Sequence, residues 1–299
     1  FEKIRHPSNG LLYQSRPPGG GYDVRLMDIS RRAVLKGLVA TGLGAAAGTG
    51  AYGFLYGRHA LVVTRETLRT AGLPSALAGL RIGLLTDLHR SGFVSHDAIA
   101  SAVALLMAEH PDLIVLGGDY VTFSDRQYIG PSAEALAPLS APHGVFGILG
   151  NHDDEHNMPA ALVKNGVEML KDARTRVTIG GDAIDLVGIR FWTKRLADIG
   201  ALTRDAKGPV ILLAHDPRRL SEAATLNVPI VLSGHTHGGQ VVVPGLGAVA
   251  ARKFPIVAGV GRQGPSTVFV SRGVGTVYAP VRINCPPEVA VLTLQPADA

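Results

Sequence analysis

Five short segments of this chain share one pattern: an apolar run ends in Gly, Thr or Ala, and side chains able to bind a cation follow. They are Thr86-Asp87-Leu88-His89, Gly117-Gly118-Asp119, Gly150-Asn151-His152-Asp153, Ala214-His215-Asp216 and Ser233-Gly234-His235-Thr236-His237. The donors are carboxylate, imidazole and amide, a set that suits borderline-hard divalent ions such as Mn, Fe or Zn better than Cu(I). The one cysteine, Cys285, allows neither an internal disulfide nor a thiolate cluster, and it reads as a small buried residue. Asp87 and His89 are two positions apart, as are His235 and His237, so in extended backbone each pair points to one side. A single His or Asp at a strand end is ordinarily a cap or a hydrogen-bonded loop residue. Five such loops in one chain point instead to a shared metal site.

That site would suit phosphoryl chemistry. Two cations about 3.5–4 Å apart lower the pKa of a bridging water and clamp the phosphoryl oxygens for in-line attack. A carboxylate can serve both ions, one oxygen to each. An amide such as Asn151 binds through oxygen without adding charge, which keeps the site positive toward an anionic phosphate. A histidine just beyond the ions can supply a proton or a hydrogen bond as charge develops.

The elements that must position these loops are legible as apolar runs. Residues 80–86, 112–116, 144–149, 209–213 and 229–232 read as buried strands, each ending in one of the five loops. Ligands in α/β sheets gather at the carboxyl ends of strands, so the five loops are expected at one sheet edge. Helices are expected over 95–110, stopped by Pro111, over 159–171 and over 196–204. Further strands are expected at 177–179 and 183–189 around Gly180-Gly181, then at 240–243, 267–270 and 289–294. No repeat or internal linker interrupts 58–299, which reads as a single layered α/β domain. The loops 121–138 and 248–265 are the expected seats of specificity.

The net charge of +5 and pI of about 9.5 would fit a nucleic-acid partner, but the distribution argues against one. Residues 1–36 hold seven Lys/Arg and three acids, which leaves 22 basic and 21 acidic residues in the remainder. The excess therefore belongs to an N-terminal address. Residues 1–26 read as a disordered extension or an over-extended start, with Met27 as the true start. Ser30-Arg31-Arg32-Ala33-Val34-Leu35-Lys36 is followed by 21 uncharged residues, 37–57, seven of them Gly. A charged segment before an apolar one is an export signal, and this one is similar to the bacterial twin-arginine type. The apolar stretch is also long enough, at roughly 30 Å as a helix, to stay in a bilayer as an anchor. Both fates, cleavage and anchoring, are compatible with the sequence.

Taken in order, Asp-x-His, Gly-Asp, Gly-Asn-His-Asp, a lone His after an apolar strand, and Gly-His-x-His resemble the calcineurin-like metallophosphoesterases over residues 81–244. The run Gly234-His-Thr-His-Gly-Gly-Gln240, the twin-arginine start and Pro280-Val-Arg-Ile resemble one branch, the small exported bacterial phosphodiesterases. The resemblance implies a four-layer αββα sandwich with mixed sheets and a two-metal phosphodiesterase or phosphatase acting through metal-activated hydroxide. It implies that Asp87, His89 and His237 bind one ion, that Asn151, His215 and His235 bind the other, and that Asp119 bridges them. His152 would protonate the leaving oxygen or donate to the transition-state phosphate, and Asp153 would orient an imidazole. Arg90 departs from the branch, which often has a small or apolar residue there; it either pairs with phosphate or lies solvated at the surface. The implied partners are a phosphoester substrate such as a phospholipid or another cell-envelope component, and the twin-arginine translocase during export. Alternatives are a lipid-linked pyrophosphate hydrolase of the UDP-diacylglucosamine type and a non-catalytic metal-binding scaffold; a scaffold would be expected to have lost ligands, and none is lost here.

Overall fold

The structure is a computed structural model and describes residues 31–297. The extension expected over 1–26, the start expected at Met27 and Ser30 of the export motif lie outside the described residues. In chain order the elements are α1 (Arg31–Leu55), β1 (Val62–Thr70), β2 (Arg81–Leu85), α2 (His96–Ala108), β3 (Leu113–Leu116), α3 (Ile129–Leu136), β4 (Val145–Gly147), α4 (Asn157–Val163), β5 (Glu168–Met169), β6 (Ala173–Ile179), β7 (Asp182–Gly188), α5 (Leu196–Thr203), β8 (Val210–Leu213), α6 (Leu220–Thr225), β9 (Ile230–Ser233), β10 (Gly259–Gln263), β11 (Ser266–Val270) and β12 (Glu288–Pro296).

Strands apolar on both faces must be covered on both, and that requirement generates the layers. One sheet runs β1-β12-β2-β3-β4-β5 and the other β10-β11-β9-β8-β7-β6. Both are mixed. The strands β2 through β5 are parallel, as are β7, β8, β9 and β11, while β12, β10 and β6 pair antiparallel with β2, β11 and β7 respectively. Alternate residues take opposite sides. Leu113 and Val115 pack with Ile211, Leu213 and Phe269 between the sheets. Ile114 and Leu116 face outward onto Ile99, Leu106, Leu136 and Leu162 of the helices α2 to α4. On the far side Leu212, Val231 and Val268 meet Ile199 of α5 and Ala223 of α6. The result is the expected four-layer αββα sandwich.

The helices begin and end for local reasons. Ser95 caps α2, its Oγ accepting the Ala98 N–H at 3.1 Å, and Pro111 lies just beyond the last turn. Three expectations differ from the structure. The helix expected over 159–171 stops at Val163; Gly166 takes a φ of +83° and the chain returns as β5 beside β4. Residues 240–243 form only isolated bridges, Val241 to Ile283 and Val243 to Gly247, instead of a strand. The loop expected over 121–138 contains α3, whose Ala133 and Leu136 are buried against the first sheet. Gly130 and Pro131 in its first turn disguise it as a loop, although Pro is well tolerated there.

The chain forms two compact units that meet within α1, after Ala45. The described part of the first unit is helical and exposed from Arg31 to Ala45, the side chain of Ala33 being undescribed. The stretch Val34–His59 is long and apolar enough to cross a membrane. In the second unit the last turn of α1 is packed. The Gly53 carbonyl accepts the Arg282 N–H at 3.2 Å, and a Cβ on Gly57 would lie 2.0 Å from the Arg282 carbonyl oxygen.

Candidate metal centre

All five loops follow the carboxyl ends of parallel strands: β2, β3 and β4 in one sheet, β8 and β9 in the other. Because the two sheets stack, their loops meet at one edge. The i, i+2 pairs do converge, but not through extended backbone as expected. Asp87, His89, Asp119, His235 and His237 all have positive φ, between +48° and +71°. This conformation is costly for side chains with a Cβ and persists only where the surroundings enforce it. The motif glycines are part of that enforcement. A Cβ on Gly150 would stand 2.1 Å from Asp119 Oδ1, and one on Gly234 would stand 2.2 Å from Asp87 Oδ2. Backbone replaces side chain at both points so that the carboxylates can be approached.

Two groups of ligand atoms result, Asp87 with His89 and His237, and Asp119 with His215 and His235, each group lying within 4.8 Å. His89 Nε2 is 3.0 Å from His237 Nε2, which is itself 3.3 Å from Asp87 Oδ1. Ligands held at 2.0–2.2 Å from one tetrahedral ion stand roughly this far apart. The groups share an atom: Asp119 Oδ2 is 3.1 Å from His215 Nε2 and 3.4 Å from His89 Nε2. Asp119 Oδ1 instead accepts the His152 N–H at 2.8 Å. A single oxygen therefore faces both groups, in place of the expected one oxygen for each.

Ring orientation is set by the nitrogen that faces away. His215 Nδ1 lies 2.7 Å from the Gly117 carbonyl and must donate to it, which leaves the Nε2 lone pair for the site. His89 Nδ1 lies 3.2 Å from Thr122 Oγ1 and is assigned in the same way. Asn151 Oδ1 is buried with no hydrogen-bond partner. Orphaned buried acceptors of this kind are rare and call for an ion. The residues present thus fit a pair of divalent cations.

Electrostatics point the same way. Asp87 and Asp119 are fully buried side by side. Burial raises Asp87. Burial also works to raise Asp119, but His215 and His89 prevail and hold it well below the carboxylate range. Burial works against a charge on His215, yet Asp119 and Asp87 push it up to about 10. Burial first, with a neighbouring histidine next in each case, lowers His235 to about 3 and His237 well below the usual range. One proton on His215 thus stands in for cationic charge, and binding a metal there must release it.

Asp153 differs from expectation. It touches no imidazole; its carboxylate accepts the N–H groups of Asp119, Tyr120 and Gly150, each at 2.8 Å, and so holds the Asp119 loop. Burial and the neighbouring Asp119 raise it to about 7. His152 accepts the Phe123 N–H at Nδ1, at 3.1 Å, and burial lowers its pKa. Arg90 donates to the carbonyls of Ser91 and Val94 at 2.5 and 2.7 Å and lies 4.7 Å from the Tyr128 ring centroid. It is half-buried, and the cavity of about 410 Å³ beside the metal groups is lined by other residues.

Arg282 had no expected role. Its side chain is 1% exposed, and its guanidinium donates to the carbonyls of His237, Arg272, Gly273, Gly275 and Cys285. Gly273 packs on Asp87, and the Gly275 N–H donates to the Asp87 carbonyl at 2.7 Å. Arg282 thus fastens the loop behind Asp87 and His237. Cys285 is buried and free, its Sγ donating to the His237 carbonyl at 3.3 Å.

Two stacked mixed sheets, with oxygen and nitrogen donors clustered at the strand ends, define the scaffold of a metal-dependent hydrolase. Residues 80–239 match the calcineurin-like phosphoesterase family, and the chain belongs to it. It is a phosphoester hydrolase. The chain is 33% identical over 237 residues to the phosphodiesterase YaeI of Escherichia coli, covering 76% of this chain and 86% of that one. It is 30% identical over 287 residues to the metallophosphoesterase YkuE of Bacillus subtilis, covering 89% and 98%. A transmembrane protein with metallophosphoesterase domain from Danio rerio is 30% identical over 244 residues, covering 75% of this chain and 55% of that protein.

Truncating Arg282 would strand its carbonyl partners. Arg282→Met is expected to lower stability by about 1–3 kcal/mol, the usual cost of leaving buried acceptors unsatisfied, and to weaken metal binding. Chemical denaturation and metal titration of the variant check both; unchanged metal affinity would remove Arg282 from the support of the centre.

Proposed function

We propose that this enzyme cleaves phosphodiesters with two divalent ions, one on Asp87, His89 and His237, the other on Asn151, His215 and His235, with Asp119 Oδ2 between them. The observation that carries this reading is the convergence of both donor groups on that one oxygen, beside the orphaned Asn151 Oδ1. When bound, the ions would supply Lewis acidity and a nucleophile at neutral pH. The donor set, without thiolate, fits Mn, Fe or Zn. The diester preference rests on the Escherichia coli relative being named a phosphodiesterase.

The protein's own groups do the rest. Substrate phosphate would enter the cavity lined by Asp119, Asn151, His152, His235 and His237. The Phe123 N–H occupies the Nδ1 lone pair of His152, so the neutral ring carries its proton on Nε2. Imidazolium would set two donors against each other. His152 therefore serves as a fixed hydrogen-bond donor to the developing negative charge, in preference to a proton source for the leaving group. Asp153 keeps the Asp119 loop in its strained conformation through three backbone donors.

The twin arginines support export by the twin-arginine translocase to the outer face of the membrane. Arg31, Arg32 and Lys36 precede the apolar helix, and exposed Tyr52 and Tyr56 close it. Basic residues on the cytoplasmic side and aromatics at the interface are the usual flanks of a membrane span.

Three outcomes test this. The purified protein should bind two metal equivalents and hydrolyse bis-p-nitrophenyl phosphate, and Asp119→Asn should abolish turnover while the fold survives; retention of more than about a tenth of the rate with both ions bound would exclude a bridge. His152→Ala should keep both ions and lose on the order of 10²–10³-fold in kcat. That loss should be the same for aryl and alkyl diesters, whereas a loss concentrated on the alkyl ester would assign His152 to proton donation. Arg31→Lys with Arg32→Lys should retain the protein in the cytoplasm on fractionation, and unchanged export would point to another route.

A further inference from the structure

A second cavity, of about 580 Å³, lies beside the catalytic one and shares Val277, Tyr278 and Ala279 with it as a common wall. Phe93, Phe123, Tyr128 and Pro280 complete its apolar lining. Three of its aromatics are exposed to an unusual degree: Phe93 by 59%, Phe123 by 64% and Tyr278 by 79%. Contiguous exposed apolar surface on a folded domain marks an interaction site. A soluble polyanion such as a nucleotide gains nothing here, because no Lys or Arg lines the trough while Asp125 does.

The far end of the trough is tied to the last turn of α1. Arg58 donates to the Phe93 carbonyl at 3.0 Å and to the Phe54 carbonyl at 2.6 Å, and lies 4.4 Å from the Phe54 ring centroid. Gly53 and Gly57 are packed on the backbone of Arg282 so closely that neither leaves room for a Cβ. The end of the helix is therefore part of the folded domain, and cleavage within it would strip packing from the loop behind Asp87. Tyr52 and Tyr56, stacked at 6.1 Å and exposed, lie in the same segment, where a span would meet the interface.

We infer that the enzyme stays in the membrane through α1 and that its substrate is a phosphodiester bearing a long apolar chain, whose chain lies in the Phe93–Phe123–Tyr278 trough while its phosphate meets the metals. This rests on the phosphodiesterase reading above. Water adds across the ester: its oxygen bonds to phosphorus, one P–O ester bond breaks, and the alcohol leaves with one proton. The phosphomonoester keeps the other. Burial of the substrate's chain against Phe93 favours long chains over short ones.

The test uses the full chain reconstituted in phosphatidylcholine vesicles. Three substrates are compared: dioleoyl phosphatidylglycerol in the vesicles, its soluble dibutyryl analogue, and bis-p-nitrophenyl phosphate. The long-chain lipid should exceed the short-chain one in kcat/KM by at least about tenfold. Phe93→Ser should lower the long-chain rate on the order of tenfold and leave bis-p-nitrophenyl phosphate hydrolysis unchanged, and Phe93→Leu should restore the difference. Equal rates on the two lipids by an enzyme active on bis-p-nitrophenyl phosphate would overturn the inference and leave the phosphodiesterase reading intact. An equal loss on all substrates in Phe93→Ser would also overturn it. Inactivity on bis-p-nitrophenyl phosphate would overturn the phosphodiesterase reading first and this inference with it.

Discussion

Two carboxylates, Asp87 and Asp119, are buried next to each other at the top of the sandwich, with His215 within 3.8 Å of both. An uncompensated buried charge costs several kcal/mol, so a fold that holds a pair must surround them with donors. The surrounding structure can be understood as that set of donors. Thr86 Oγ1 and the His235 N–H serve Asp87; the His152 N–H serves Asp119. What they leave unserved is the space between the two groups of imidazoles, and that space calls for ions.

Donors can reach so small a volume only if the chain turns sharply at each strand end. Five ligands accept left-handed backbone for this reason, and Gly150 and Gly234 yield their side chains. Such strain needs a rigid support. The apolar layer between the sheets supplies it from below through Leu84, Ile148, Leu213 and Leu232, all buried near the roots of the loops. From behind, Asp153 and Arg282 tie down backbone: Asp153 gathers N–H groups and Arg282 gathers carbonyls.

The apolar runs and the ligand types were plain in the sequence because both are properties of single residues at regular spacing. Strands ending in Asp87, Asp119, Asn151, His215 and His235 could be marked before any coordinates. The bonds made to backbone could not. Arg282 holds carbonyls, Asp153 holds amides and Arg90 holds the carbonyls of its own loop, and every residue type carries such groups, so no pairing is written in the side chains. For the same reason the tautomer of His152 depends on the Phe123 amide, which sequence spacing does not locate. The helix α3 and the strand β5 escaped notice because one opens on Gly130-Pro131 and the other is two residues long.

The packing of Gly53 and Gly57 on Arg282 joins the beginning of the described chain to its end. During synthesis the first of these segments leaves the ribosome long before the second. The loop behind Asp87 and His237 therefore cannot close until Arg282 has left the ribosome, later than every strand end that carries a candidate ligand. Before that moment the last turn of α1 lacks its contact with Arg282. The order in which contacts become possible thus leaves the apolar helix unfastened until after all the candidate ligands have been made.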